Sequence, residues 1–175
     1  RGKRYVPFAQ VAARAPLAIV GRERPEDFEW SALAGRTVSM KGSNGASVGL
    51  FVKMLLRENS VDPRTVNFVQ DLDGKMLTDL FSGGMGDYLV IDFPSAVTLE
   101  AAGGGHVVQP LPVTGGNIPW SVYYAEGEPD EERRETHTRF ARALGLGMNW
   151  ILDHEAEDYR AFLATTFPKF APDLL

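Results

Sequence analysis

From Arg36 to Gln109 short apolar runs alternate with stretches of helical spacing, and this alternation constrains the fold more than any other feature of the sequence. Arg36 to Met40 reads as a strand. The turn Lys41-Gly42-Ser43-Asn44-Gly45 follows, and then Val48, Phe51, Met54 and Leu55 recur at helical spacing over about Ala46 to Glu58. Pro63 blocks any continuation of that helix. Val66 to Gln70 is strand-like, Leu72 to Phe81 is a short helix ending at Gly83-Gly84, and Asp87 to Ile91 is a further strand. Pro94 opens the next helix, at a position where a missing N–H costs nothing. That helix stops at Gly103-Gly104-Gly105, and His106 to Val108 is strand again. Such alternation predicts an α/β unit: a parallel or mixed sheet with helices on its faces.

The flanks differ in character. Tyr5 to Val11 and Leu17 to Val20 read as extended segments, since Pro7 and Pro16 oppose helix through either. Arg22 to Ser31 is polar and reads as a surface connection anchored by Phe28 and Trp30. Trp120 to Tyr124 is one more strand. After Pro129 the pattern turns helical: His137, Phe140, Leu144, Met148 and Ile151 form one stripe of a long helix, roughly Asp130 to Asp153. Ala156 to Thr165 and Pro168 to Leu175 read as two shorter helices. This C-terminal piece has no sheet of its own, so its long helix requires a partner. The sequence opens with Arg-Gly-Lys-Arg and no initiator Met, and the expectation is that an N-terminal portion is missing.

Composition narrows the functions. A chain of 175 residues that is 44% hydrophobic can bury a core in one domain or two small lobes. The net charge of −5, with basic residues scattered, argues against nucleic-acid binding. No cysteine is present, so thiolate metal sites and Cys nucleophiles are excluded within the chain. His106, His137 and His154 are dispersed without zinc-ligand spacing. There is no Gly-x-Ser-x-Gly elbow, and no apolar run approaches the length of a membrane span. No cofactor is called for.

The turn Lys41-Gly42-Ser43-Asn44-Gly45-Ala46-Ser47 carries the clearest chemistry. Its glycines let the backbone approach a ligand closely. The first amides of the following helix are unpaired, and the helix dipole adds positive potential. An anionic group is stabilised there, with Ser43, Asn44 and Ser47 as further donors. The same residues also fit simple N-capping. The Gly-Lys-Ser/Thr ending of a Walker loop is absent. Gly83-Gly84-Met85-Gly86-Asp87-Tyr88, between a helix and a strand, reads as a plain helix C-cap and turn that needs no function.

Several motifs now come in a telling order: Phe8-Ala9-Gln10, Gly21-Arg22-Glu23, Phe28-x-Trp30, Leu33-Ala34-Gly35-Arg36-Thr37-Val38 and Asp62-Pro63-x-x-Val66. Gly84-x-Gly86-Asp87-Tyr88, Pro94-Ser95-Ala96, Leu99-Glu100, Ile118-Pro119-Trp120, Asn149-Trp150 and Phe167-Pro168 follow. In this the chain resembles the solute-binding proteins of nitrate, sulfonate, taurine and thiamine-pyrimidine-precursor ABC transporters, over nearly its whole length but only the later part of their fold. It departs from them at Asp92-Phe93-Pro94, where related sequences often carry an acidic residue immediately before the proline.

The resemblance implies a type II periplasmic-binding fold: one α/β lobe with a mixed sheet, plus a C-terminal helical return to a mostly missing first lobe. Residues 1–35 would be the crossover and end of the first-lobe segment, 36–112 the second lobe, and 113–175 the return strand and helices of the first lobe. It implies a binding protein rather than an enzyme, working by hinge closure over a small anion or heterocycle and delivering it to a membrane permease outside the cytoplasm. The further partner would be a missing N-terminal portion or a second chain. Ligand contacts are expected from Gln10, Arg14, Ser43, Asn44, Gly45, Ser47, Asp92, Phe93, Ser95 and Trp120. Several have plainer readings: Arg14 clamps an oxyanion or is a salt-bridged surface residue, Asp92 meets an amino-bearing ligand or caps the Pro94 helix, and Trp120 is a cleft wall or core. Two alternatives use the same fold: a desulfinase-like or pyrimidine-synthase-like enzyme, whose cysteines this chain lacks, and the sensing domain of a regulator.

Overall fold

The computed structural model describes residues 2–41, 47–72 and 74–170. In chain order the strands are β1 (Tyr5–Ala12), β2 (Leu17–Gly21), β3 (Thr37–Lys41), β4 (Asn67–Leu72), β5 (Tyr88–Asp92), β6 (His106–Pro110) and β7 (Ser121–Glu126). The helices are α1 (Ser47–Glu58), α2 (Gly74–Ser82), α3 (Phe93–Ala101), the single turn α4 (Leu111–Thr114), α5 (Glu131–Leu152) and α6 (Ala156–Thr166). They form two compact units, one of residues 16–116 and one of residues up to 15 together with those from 117 onward.

The larger unit is a five-stranded mixed sheet in the order β4-β3-β5-β2-β6. β3 is parallel to β4 and β5, while β2 runs antiparallel to β5 and β6. Right-handed crossovers then fix the layers. The β3–α1–β4 step moves outward along the sheet, whereas β4–α2–β5 and β5–α3–β6 move back, so α2 and α3 share one face and α1 takes the other. The core bears this out: Ala18, Val20, Leu89 and Ile91 cluster with Leu77 and Phe81 of α2 and Ala96 and Leu99 of α3. Their strand neighbours Ile19 and Val90 are fully buried as well, so both faces of the sheet are covered.

Helix ends in this unit are closed by local chemistry. After α2, Gly84 N–H donates to Phe81 O and Met85 N–H to Leu80 O, with Gly84 at φ 98°, the glycine-dependent Schellman pattern. Gly83 to Gly86 is therefore accounted for as a cap and turn. The same pattern follows α1, but there Ser60 occupies the left-handed position at φ 61°.

The sheet begins earlier than the sequence suggested. The expected boundary lay at residue 36, yet Leu17–Gly21, every residue of it buried, is hydrogen-bonded between β5 and β6. An apolar run of five residues satisfies its backbone best inside a sheet, and its antiparallel direction means that no helix announces it. The lower boundary falls at Gly116 rather than 112.

The smaller unit is built on an antiparallel β1–β7 ribbon, with Tyr5 opposite Glu126 and irregularities after Pro7 and Gln10. The Asp130 carboxylate caps α5 by accepting from Arg133 N–H at 2.9 Å. The helix packs on the ribbon through aromatic rings: Phe8 stacks on His137 at 4.0 Å, and Phe140 meets Phe8 and Tyr123 edge-on. Yet no residue of β1, β7, α5 or α6 is fully buried. Of the helix expected over 168–175, residues 168–170 form a turn instead, and the rest lies outside the described residues.

Candidate functional site: the C-terminal edge of the five-stranded sheet

The topology sets one edge of the larger unit apart. β3, β4, β5 and β6 all run in one direction and end there, and α1, α2, α3 and α4 begin there. Open α/β sheets take their ligands outside the carboxyl ends of the strands. Helix starts add unpaired amides and the positive end of the dipole.

Ser47, Asp92, Phe93 and Ser95 all belong to this edge. Ser47 is the first residue of α1 and is exposed. Ser43, Asn44 and Gly45 lie outside the described residues. Asp92 ends β5, is exposed, and caps α3 by accepting from Ser95 N–H at 2.9 Å. Phe93 N–H donates to Pro16 O at 2.9 Å, and its half-buried ring packs against the α2–α3 core cluster. The first amides of α3 are thus committed within the chain, and the carboxylate offsets its dipole.

Gln70, near the end of β4, was not singled out by the sequence reading. It is half-buried, and its Nε2 donates to Met40 Sδ at 3.4 Å. Its carboxamide lies over the first turn of α1, where a Cβ at Gly49 would stand 2.0 Å from Nε2. The available signal was a carboxamide ending the otherwise apolar run Phe68-Val69-Gln70.

The smaller unit brings the remaining candidates to one end of its ribbon. Gln10 is exposed on β1, its Nε2 3.4 Å from Ala12 O. Arg14 Nε donates to Asn117 Oδ1 at 3.3 Å. Trp120 is half-buried and its N–H donates to Ala12 O at 3.1 Å.

The opposite edge of the sheet has a cavity of about 660 Å3 lined by Arg22, Phe28, Arg36, Asp87 and Tyr88 among others. Its charges are engaged in holding the fold. Arg22 donates to the Met85 and Gly86 carbonyls at 2.9 and 3.0 Å and lies over the Phe81 ring. Asp87 accepts from Thr37 N–H at 2.8 Å and pairs with Arg36. Among the described residues no group of three His, Cys, Asp or Glu side chains is placed to hold a metal ion. No described helix is long and apolar enough to cross a membrane.

Comparison with solved structures bears on this arrangement. The alkanesulfonate-binding protein SsuA from Xanthomonas axonopodis pv. citri, bound to MOPS, matches 97% of this chain and 57% of its own, with TM-score 0.68 and 12% identity. The periplasmic aliphatic sulphonate binding protein SsuA from Escherichia coli matches 95% of this chain and 56% of its own, with TM-score 0.69 and 17% identity. The chain has the fold of periplasmic solute-binding proteins. Among curated proteins, the Bacillus subtilis (strain 168) protein named "Putative binding protein YtlA" is 27% identical over 173 residues, which make up 97% of this chain. The chain spans about half of that relative, 51% of its length. No family model matches.

Proposed function

We propose that this protein binds a small solute, an anion or a heterocycle, for delivery to an ABC permease, and that it works outside the cytoplasm. The observation that carries the reading is the convergence of parallel strand ends and helix starts on one edge of the sheet, with Ser47, Gln70, Asp92 and Ser95 around it. Helix N-termini carry positive potential, and α1 and α2 both begin at this edge, which favours an anionic group. Ser43, Asn44 and Gly45, which precede α1 in sequence, are read as further donors to it. Gln10, Arg14 and Trp120 are read as the smaller unit's contribution to binding.

Two similarities support a binder over an enzyme. The solved relatives are sulfonate-binding proteins by name, and YtlA is named as a binding protein. The permease partner and the extracytoplasmic location rest on the same likeness. The β1–β7 unit, with no fully buried residue in its four elements, is read as completed by polypeptide beyond these residues.

A thermal-shift panel of small anions and heterocycles tests the function, because a ligand that prefers the native state raises the melting temperature. A solute present at one hundred times its Kd contributes about 2.7 kcal/mol. Stabilisation by one chemical class and not by its isosteres supports the reading. No response across sulfonates, nitrate, carboxylates and pyrimidines would contradict it.

A further inference from the structure

Gln70 stands where an apolar side chain is expected. Ala18, Val20, Leu89 and Ile91 cluster with α2 and α3 on one face of the sheet, so Ile19 and Val90, which alternate with them, face α1. Met40 is in register with Val90 on the adjacent parallel strand and shares that face, as does Val38 two residues before it. All four are fully buried. Gln70 enters this layer from β4: its Nε2 donates to Met40 Sδ at 3.4 Å, and its carboxamide lies against Gly49 of α1. A polar group in such a layer costs free energy unless its hydrogen bonds are made.

They are made only in part. A thioether is a weak acceptor, so the Met40 bond offsets little. At the other end, Gln70 Oε1 accepts no hydrogen bond among the described residues. Two backbone features nonetheless hold the carboxamide in place. Between the pairs Ser39↔Val69 and Lys41↔Leu72, β4 carries one more residue than β3, and a bulge of this kind bends a strand and re-aims a side chain. Gly49 supplies the second. A Cβ there would stand 2.0 Å from Gln70 Nε2 and 3.2 Å from Oε1, so a side chain at that position would displace the carboxamide. Glycine weakens a helix relative to alanine. Stability alone therefore favours an apolar residue at 70 and alanine at 49. Local departures of this kind, at an edge where strands end and helices begin, are expected where a residue serves binding.

We infer that Gln70 sets specificity at this edge: its Oε1 accepts from a hydrogen-bond donor on the solute, so the site selects a singly charged oxyanion that retains one O–H over an equally charged oxyanion that has none. The start of α1 carries the positive potential that suits anionic oxygens. An acceptor beside it is complementary only to an acid that still holds a proton. Against a fully deprotonated oxyanion, Oε1 would face another acceptor with no proton to share. The matching chemistry is that of an alkylphosphonate monoanion, and the mismatched chemistry that of a sulfonate or nitrate. This rests on the reading of the sheet edge as the binding site and narrows its solute.

The test uses the protein at its full natural length. Methylphosphonate and methanesulfonate share a tetrahedral shape and, at mildly acidic pH, a single charge; the phosphonate has the O–H that the sulfonate lacks. Titration calorimetry gives both affinities, and the Gln70 side-chain amide is followed by NMR. The wild-type protein should bind methylphosphonate roughly three- to tenfold tighter, the net contribution of one hydrogen bond, and the Gln70 amide signals should move. Gln70→Met is close in size and lacks both polar ends, and Gly49→Ala pushes the carboxamide away. Each should bring the two affinities to within about twofold, as expected once that hydrogen bond is lost. Without solute, Gln70→Met should melt at the wild-type temperature or above it. A lower melting temperature for Gln70→Met, or any solute bound at this edge without a preference for the O–H-bearing anion, overturns the assignment of Gln70 and leaves the binding reading standing. No binding of either anion or of any member of the solute panel instead brings down the binding reading, and this assignment with it.

Discussion

Replacing Asp92 separates two roles that share one carboxylate. The carboxylate accepts from Ser95 N–H at 2.9 Å and caps α3. Asp92→Ala removes that acceptor and should cost about 1 kcal/mol, the usual value of an N-cap. Asp92→Asn keeps an acceptor of equal capping quality and should cost only a few tenths of a kcal/mol. The Phe93 N–H to Pro16 O bond is backbone and survives both changes. The charge, by contrast, is lost in both variants. An anionic solute held at this edge near Asp92 is repelled by up to about 1 kcal/mol in a water-like dielectric, so Asp92→Asn should tighten it by up to about fivefold. Chemical denaturation measures the first effect and titration calorimetry the second. Equal destabilisation by Asn and Ala would refute the capping argument. Weaker binding of an anion by Asp92→Asn would show that the carboxylate contacts the solute, and would point to an amino-bearing ligand.

Other expectations follow from the same geometry. Ser60 holds a left-handed conformation after α1, so Ser60→Gly should stabilise the protein by about 1 kcal/mol in urea unfolding. Phe81 is 1% exposed, fills the α2–α3 core and carries the Arg22 guanidinium 3.7 Å above its ring; Phe81→Ala should cost about 3–5 kcal/mol, with Phe81→Leu recovering part of it. The Asp62 carboxyl is pulled from 3.8 to about 2, first by the side-chain hydrogen bond from Arg64 and then by the Arg64 backbone N–H. Its folded value is depressed, so its small contribution to stability is present above pH 3.8 and is lost as the pH falls through about 2. Carbon-detected titration should show that midpoint, and Arg64→Ala should raise it.

The larger unit was legible where strand and helix alternate, because each helix carries its own caps and breakers. Pro94 opens α3, and Gly84 and Gly103 close α2 and α3. β2 was legible as an extended segment but not as a sheet strand, since its partners β5 and β6 lie far away in sequence. Asp92 shows the same limit at the site. The sequence offered a cap or a ligand contact, and the Ser95 bond establishes the cap while leaving the charge available to act on a solute. Gln70 was missed because its position over α1 depends on the β3–β4 pairing and on the space at Gly49. The amphipathic stripe of α5 was plain in the residues. What it packs against was not, because Leu144, Met148 and Ile151 face a groove rather than a core.

Amide chemical-shift mapping during titration with an alkanesulfonate, nitrate and a carboxylate is the most direct measurement. If strand ends and helix starts form the binding edge, one of these anions should move the amides of Ser47, Val48 and Gly49 and those near Gln70 and Asp92. Shifts confined to Arg22, Arg36 and Asp87 at the other end of the sheet would place any binding where the charges serve the fold, and would contradict the account.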